Sequence, residues 1–192
     1  MQEAQQHIDP KAEAILEAAF GQFAAYGFRR TSMEDIAKAA GMSRPALYLH
    51  FAGKEAILRA LVGLYYARLG NAVEAALTGA GAPDEVLERA FACHAAAIPD
   101  AVLRAAHGEE LLDRTAALCG DIFVEGEGRL AALYADWLSR EANAGRVRLA
   151  APPRELAGTI LAAAKGTKVA PYDAYPERLR LLARLLGRGL RA

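Results

Sequence analysis

Apolar residues recur along most of this chain at helical spacing, and nowhere alternate for long enough to mark a strand. The start, MQEAQQHIDP, is polar and reads as a loose arm; Asp9 can cap and Pro10 can open a first helix. Ile15, Leu16, Ala19, Phe20 and Phe23 give that helix one stripe, and Tyr26-Gly27-Phe28 closes it. A long helix is predicted from Gly53-Lys54 to about Leu77, where Leu58, Leu61, Val62, Tyr65, Leu69, Val73 and Leu77 keep the period. TGAGAP, Thr78 to Pro83, is the clearest linker. Asp84 is expected to cap a helix to about Ile98, Pro99-Asp100 to start another, and His107-Gly108 to break it. Glu109 to Asn143 reads as helical again, bent near Gly120 or at Gly126 and Gly128. Ala144-Gly145 ends it, Pro152-Pro153 opens a helix to about Lys168, and Tyr175-Pro176 opens the last. The fold class expected is all-α.

Thr31 to Lys54, TSMEDIAKAAGMSRPALYLHFAGK, is the most informative stretch. Thr31 and Glu34 have capping-box spacing, which starts a helix by satisfying its free N–H groups from both sides. Met33, Ile36, Ala37 and Ala40 share a face, and Gly41 suits the positive φ that often ends a helix. Ser43 can then cap a second short helix, with Pro45 tolerated in its first turn. Small Ala37 and Gly41, four apart, permit the close approach and sharp turn of a helix-turn-helix, whose second helix enters the DNA major groove. At about 100° per residue, Leu47 and Phe51 fall together with Tyr48 at their edge. Pro45, Ala46, Leu49 and His50 fall on the other side, with Arg44 at the N-terminal tip. Apolar groups left outside so short a helix suit thymine methyls better than water.

These residues, GMSRPALYLHFAGK preceded by TSMEDIAKAA, with the amphipathic ILEAAFGQFAAYGFRRTS before them and KEAIL after, closely resemble the DNA-binding domain of the TetR family of bacterial repressors. The resemblance covers roughly Ala12 to Leu61. It implies a helix-turn-helix domain over 1–53 and a helical effector-binding and dimerisation domain over 54–192. Arg44, Pro45, Ala46 and Leu49 sit where base edges are read; an arginine there is suited to guanine O6 and N7. Thr31, Tyr48, His50 and Lys54 match positions that in the family commonly hold the DNA backbone, and each carries a donor able to do so. Gly53 stands where the family often has a polar cap. Arg29 and Arg30, in the loop before Thr31, either reach DNA or are solvated.

Charge changes the picture in one respect. Net charge is zero, and residues 1–60 carry seven Lys/Arg against seven Asp/Glu. DNA affinity must therefore come from where cations are placed, not from their number. Two cysteines, Cys93 and Cys119, without a CxxC, exclude a disulfide scaffold. No signal core or membrane-length apolar run is evident, so a cytoplasmic setting without a membrane partner is expected. Cys93, His94, His107, Glu109, Glu110 and Cys119 match no metal motif, and no phosphate loop or nucleophile motif is present. No metal site, no cofactor and no enzymatic activity are expected.

In the last helix, Arg180, Arg184, Arg188 and Arg191 share one side, while Leu179, Leu181, Leu182, Ala183, Leu185, Leu186 and Leu190 cover an arc of roughly 200°. A helix lying on its own domain needs about half that. The helix from Pro153 is similar, with Leu156, Ala157, Ile160, Leu161 and Ala164. Both are expected to pack on their two-fold mates as a four-helix bundle, with Leu156, Ile160, Leu179, Leu182 and Leu186 at the dimer interface. The resemblance implies the same, since TetR-like proteins dimerise through their last two long helices.

The resemblance also implies a body with a pocket for a small-molecule effector, whose binding alters the separation of the two DNA-binding heads. Phe91, His94, His107, Phe123, Tyr134 and Trp137 are expected to line it. The function expected is a dimeric repressor of double-stranded operator DNA, released by a partly hydrophobic ligand. The alternative is an interaction protein of the same fold, controlled by a protein partner or by oligomerisation.

Overall fold

The computed structural model describes residues 9–97 and 108–191, and within them nine α-helices and one 3-10 turn carry the chain. In order they are α1 (Pro10–Tyr26), α2 (Met33–Ala39), α3 (Arg44–His50), α4 (Lys54–Thr78), α5 (Pro83–Ala97), α6 (Gly108–Leu118), α7 (Gly120–Asn143), α8 (Pro153–Gly166), the turn Tyr172–Ala174 and α9 (Tyr175–Leu190). Extended pairing among the described residues is limited to one isolated bridge between Val147 and Arg191. The fold is all-α, and no described helix is long and apolar enough to cross a membrane. The expected features at Ile98, Pro99-Asp100 and His107 lie outside the described residues.

Two compact units are present. One comprises the chain up to Leu64 and the segment ending at Phe123; the other runs from Tyr65 and resumes at Val124. The divisions fall inside α4 and inside α7.

In the first unit, Asp9 Oδ1 accepts from Lys11 N at 3.1 Å and Pro10 opens α1. Ile15, Leu16, Ala19 and Phe23 are buried, and Gly27 ends the helix at φ 85°. The Phe23 and Phe28 rings then meet at 5.1 Å between centroids. The single helix expected over 109–143 is instead two, interrupted at Cys119. The cause is Arg59, whose guanidinium donates to the Leu118 carbonyl at 2.5 Å and grips Asp121 through two bonds of 2.9 and 2.6 Å. That removes a carbonyl from the helical ladder and places an anion in the first turn of α7, where it is favoured. Gly126 and Gly128 lie within α7.

In the second unit, α4, α5, α7, α8 and α9 share a core that includes Leu69, Val73, Leu87, Phe91, Tyr134, Trp137, Leu138, Ile160, Leu179 and Ala183. Two glycines set helix separations. A Cβ at Gly126 would fall 2.3 Å from the Tyr66 ring, and one at Gly187 would fall 2.2 Å from Asp84 Cα. Asp84 lies inside α5, which begins at Pro83, and so is not its cap. Glu85, in the first turn, reaches back to accept from Ala82 N at 3.0 Å, and Asp84 pairs with Arg191.

A candidate nucleic-acid interface

The sequence TSMED contains two overlapping capping boxes one residue apart. The structure uses the second. Ser32 Oγ accepts from Asp35 N at 3.2 Å, and Asp35 Oδ2 accepts from Ser32 N at 2.9 Å and from its hydroxyl at 2.6 Å. These bonds hold the Asp35 carboxyl below its ordinary value. Thr31 is instead buried, and its hydroxyl donates to the Gly27 carbonyl at 2.8 Å and lies 3.3 Å from that of Gln22. Ser32 caps α2, which corrects the expected cap at Thr31. Its methyl can be buried beside the α1 end while its one proton is satisfied locally, which the more exposed Ser32 site does not require.

α2 buries Met33, Ile36 and Ala37. Gly41 turns the chain at φ 68°, and Met42 N donates to the Ala37 carbonyl at 2.9 Å. Ser43 Oγ then accepts from Ala46 N at 3.3 Å, with Pro45 in the first turn. Leu47 is fully buried and anchors α3. Arg44, Pro45, Tyr48 and Leu49 are exposed, while Ala46 and His50 are half-buried. Leu49 is 86% exposed, far more than a leucine used for packing. The Arg44 guanidinium carbon lies 5.6 Å from the Tyr48 ring centroid, with a long 3.5 Å contact to its hydroxyl. A phenol can orient the cation without neutralising it. His50 Nδ1 stands 3.6 Å from Asp9 Oδ2, so the end of α3 meets the cap of α1. Arg29 and Arg30 are exposed.

Lys54 ties the start of α4 to the turn between α1 and α2. Its ammonium donates to the carbonyls of Phe28 at 2.8 Å, Arg29 at 3.1 Å and Thr31 at 3.0 Å, and sits 4.8 Å from the Phe28 ring centroid. All three protons meet carbonyls inside the head. Sequence reading missed Phe28, Ser32, Asp35 and Arg59 as organising residues. The overlapping S-x-x-D spacing was a visible signal for two of them.

In the body, Phe91, His94 and Tyr134 cluster with ring centroids 6.1–6.2 Å apart, and His94 Nε2 lies 3.1 Å from the Tyr134 hydroxyl. Phe91, Tyr134 and Trp137 are fully buried in the same core. Burial pushes His94 down to about 4, Tyr65 up to about 12, and Tyr66 and Tyr134 further up. Phe123 is half-buried and belongs to the other compact unit; His107 lies outside the described residues. Burial also pushes both thiols up, so Cys93 and Cys119 are held as neutral, weakly reactive groups.

The expected dimer residues divide. Ile160 and Leu179 are buried in their own core. Leu156, Leu182 and Leu186 are half-buried against that core. The apolar residues α9 leaves outside are Leu181 and Leu185, and α8 leaves Gly158 and Ala162 exposed.

Residues 15–61 match the family model described as bacterial regulatory proteins, tetR family. Among curated proteins the chain is similar to the uncharacterised HTH-type transcriptional regulator YuxN of Bacillus subtilis, 39% identical over 29% of this chain and 19% of that protein. The matched segments span 19, 29 and 32% of the length of three such relatives. Among solved structures, a transcriptional regulator from Cytophaga hutchinsonii superposes with a TM-score of 0.79 at 17% identity, covering 96% of this chain and 100% of that one. SmeT of Stenotrophomonas maltophilia, solved as a triclosan complex, gives 0.65 at 22% identity, covering 93% and 90%.

Proposed function

We propose that the chain is a TetR-family regulator, a reading supported by the match of its head and by its fold: a cytoplasmic, dimeric repressor that binds a palindromic operator and is released by a small, partly hydrophobic ligand. It is a DNA-binding protein and not an enzyme. The observation that carries this reading is the outer face of α3: Arg44, Pro45 and Leu49 point into solvent from a helix anchored by Leu47. A cation steered by Tyr48 beside an exposed leucine fits a guanine edge next to a thymine methyl.

Two copies are needed to read two half-sites one helical turn apart. Leu181 and Leu185 of α9, with Gly158 and Ala162 of α8, are assigned to the contact between them. In this reading the functional division falls at 53/54, with the head before it and the effector-binding and dimerising body after it. SmeT is a repressor of a multidrug efflux pump and binds triclosan; that precedent on the same fold supports a ligand for this body. Phe91, His94 and Tyr134 supply an apolar wall with a few polar atoms, as small-molecule sites have. Release requires unequal ligand affinity for the two head spacings, and α4, continuous over 25 residues, is the lever.

The test is selection of bound duplexes from a random-sequence library, with sedimentation of the protein alone. Enriched palindromes and a dimer are expected. A monomer that enriches no sequence overturns the reading, and enrichment without release by any hydrophobic compound overturns its ligand half in favour of control by a protein partner.

A further inference from the structure

We infer that Asp9 is a positioning residue for DNA binding: it holds His50 so that the imidazole meets a backbone phosphate only as a cation, which links docking to proton uptake. The inference rests on the DNA-binding function proposed above and on the place of His50 at the end of α3. Asp9 divides its carboxylate between two tasks. Oδ1 accepts from Lys11 N at 3.1 Å and caps α1, while Oδ2 stands 3.6 Å from His50 Nδ1. That separation is within ion-pair range and longer than a hydrogen bond. The His50 side chain is 24% exposed and that of Asp9 53%, so solvent reaches both.

The consequence follows from what an imidazole can donate. A neutral ring carries one N–H and a protonated ring carries two. A phosphate oxygen needs a donor. If a neutral ring turns its one proton to the phosphate from Nε2, the bare lone pair of Nδ1 faces the Asp9 carboxylate, acceptor against acceptor. If the proton sits on Nδ1 toward Asp9, Nε2 has nothing to give the phosphate. The imidazolium serves both anions at once, with a charge-assisted bond to each. The other charged groups near α3 act elsewhere. On α2, Asp35 is bonded to Ser32 with Lys38 in its field, and Glu34 acts on Arg44 at the opposite end of α3. α1 also carries Lys11, Glu13 and Glu17, and α4 opens with Lys54 and Glu55. Among the described residues, Asp9 is the charged group that comes within ion-pair distance of His50.

The experiment follows affinity by fluorescence anisotropy from about pH 6 to about pH 8, the range in which imidazoles titrate. It uses a duplex selected by the wild-type protein, at fixed ionic strength, with wild type, Asp9→Asn, His50→Gln and the double variant. Wild-type affinity should fall about tenfold or more across that range, by proton linkage. Asparagine caps a helix as well as aspartate does, so Asp9→Asn keeps α1 intact. Its amide can donate to a bare Nδ1, which leaves a neutral Nε2–H for the phosphate. The variant's profile should therefore be flatter, with a gain over wild type that is small at the acid end and grows toward the basic end. A carboxylate that only repels DNA gives the same gain at every pH and overturns the inference. His50→Gln should flatten the profile whether or not Asp9 is present; a slope as steep as that of wild type overturns the inference as well.

If the variants fail to fold, the ring nitrogens of wild-type His50 decide by NMR. Both should be protonated in the complex at about pH 7, and a neutral ring there overturns the proton link. A wild-type protein that selects no duplex sinks the DNA reading and the role of Asp9 with it. A selected duplex bound tightly, with a flat wild-type profile, sinks the role of Asp9 alone.

Discussion

The outer faces of α3 and α9 both leave leucine in water, yet their arginines are held in opposite ways. On α9, Arg180 is gripped by Glu177 with Nε at 2.7 Å, Arg184 by Glu88 at 2.9 Å, and Arg191 by Asp84. On α3, Arg44 lies against the phenol of Tyr48, and the carboxylate of the capping box, Asp35, is bonded to Ser32. Cations already matched to carboxylates do not need a phosphate or a guanine; one steered by an aromatic ring keeps its charge for an incoming partner. In a chain of zero net charge, pairing separates a surface suited to DNA from one suited to another protein.

The contrast is broken most severely at α9. Replacing Leu181 and Leu185 together by Asp should split the dimer in sedimentation and weaken operator binding about a hundredfold or more, since each head then binds one half-site alone. Arg44→Ala comes next. It should cost about 1–3 kcal/mol on the preferred duplex and much less on scrambled DNA, read by anisotropy; equal losses on both would make Arg44 a phosphate contact.

The opposite face of α9 gives a control. Gly187→Ala must displace Asp84 backbone and should destabilise the fold by about 1–3 kcal/mol in thermal melts, without changing the sequence preference of the head. Acid should act on the same unit in a graded way. His94 is pushed down to about 4 when folded, so the stability its neutral form contributes is complete above the ordinary histidine value. That stability is lost as pH falls from about 6.5 toward 4. A His94→Gln variant should lack that step in melts taken across the range. The smallest effect belongs to Arg184→Ala: an exposed ion pair is removed, and neither melting temperature nor DNA affinity should move measurably.

Much of this was legible in the sequence, because the elements rest on local signals. Asp9-Pro10, Gly41, Ser43 and Gly145 mark helix ends through their own backbone chemistry, and the turn between α2 and α3 follows from them. What stayed hidden depended on partners far along the chain. Leu179 and Leu181 read alike in an arc of leucines; only packing against α5 shows which is inside. Cys119 interrupts a helix because Arg59 reaches it from α4. Lys54 had the composition of a phosphate ligand, and the three carbonyls that hold it lie more than twenty residues earlier. The choice between Thr31 and Ser32 was a local ambiguity of one residue, decided by which hydroxyl could be buried.

The most direct measurement is fluorescence anisotropy of the wild-type protein on a labelled duplex from the region upstream of its own gene, and on a scrambled duplex, across a salt series. The expected result is tight binding to the first, about a thousandfold or more stronger than to the second, with a linear fall of log K against log salt. Weak, steeply salt-dependent binding that is equal on both duplexes would contradict the claim that α3 reads sequence there.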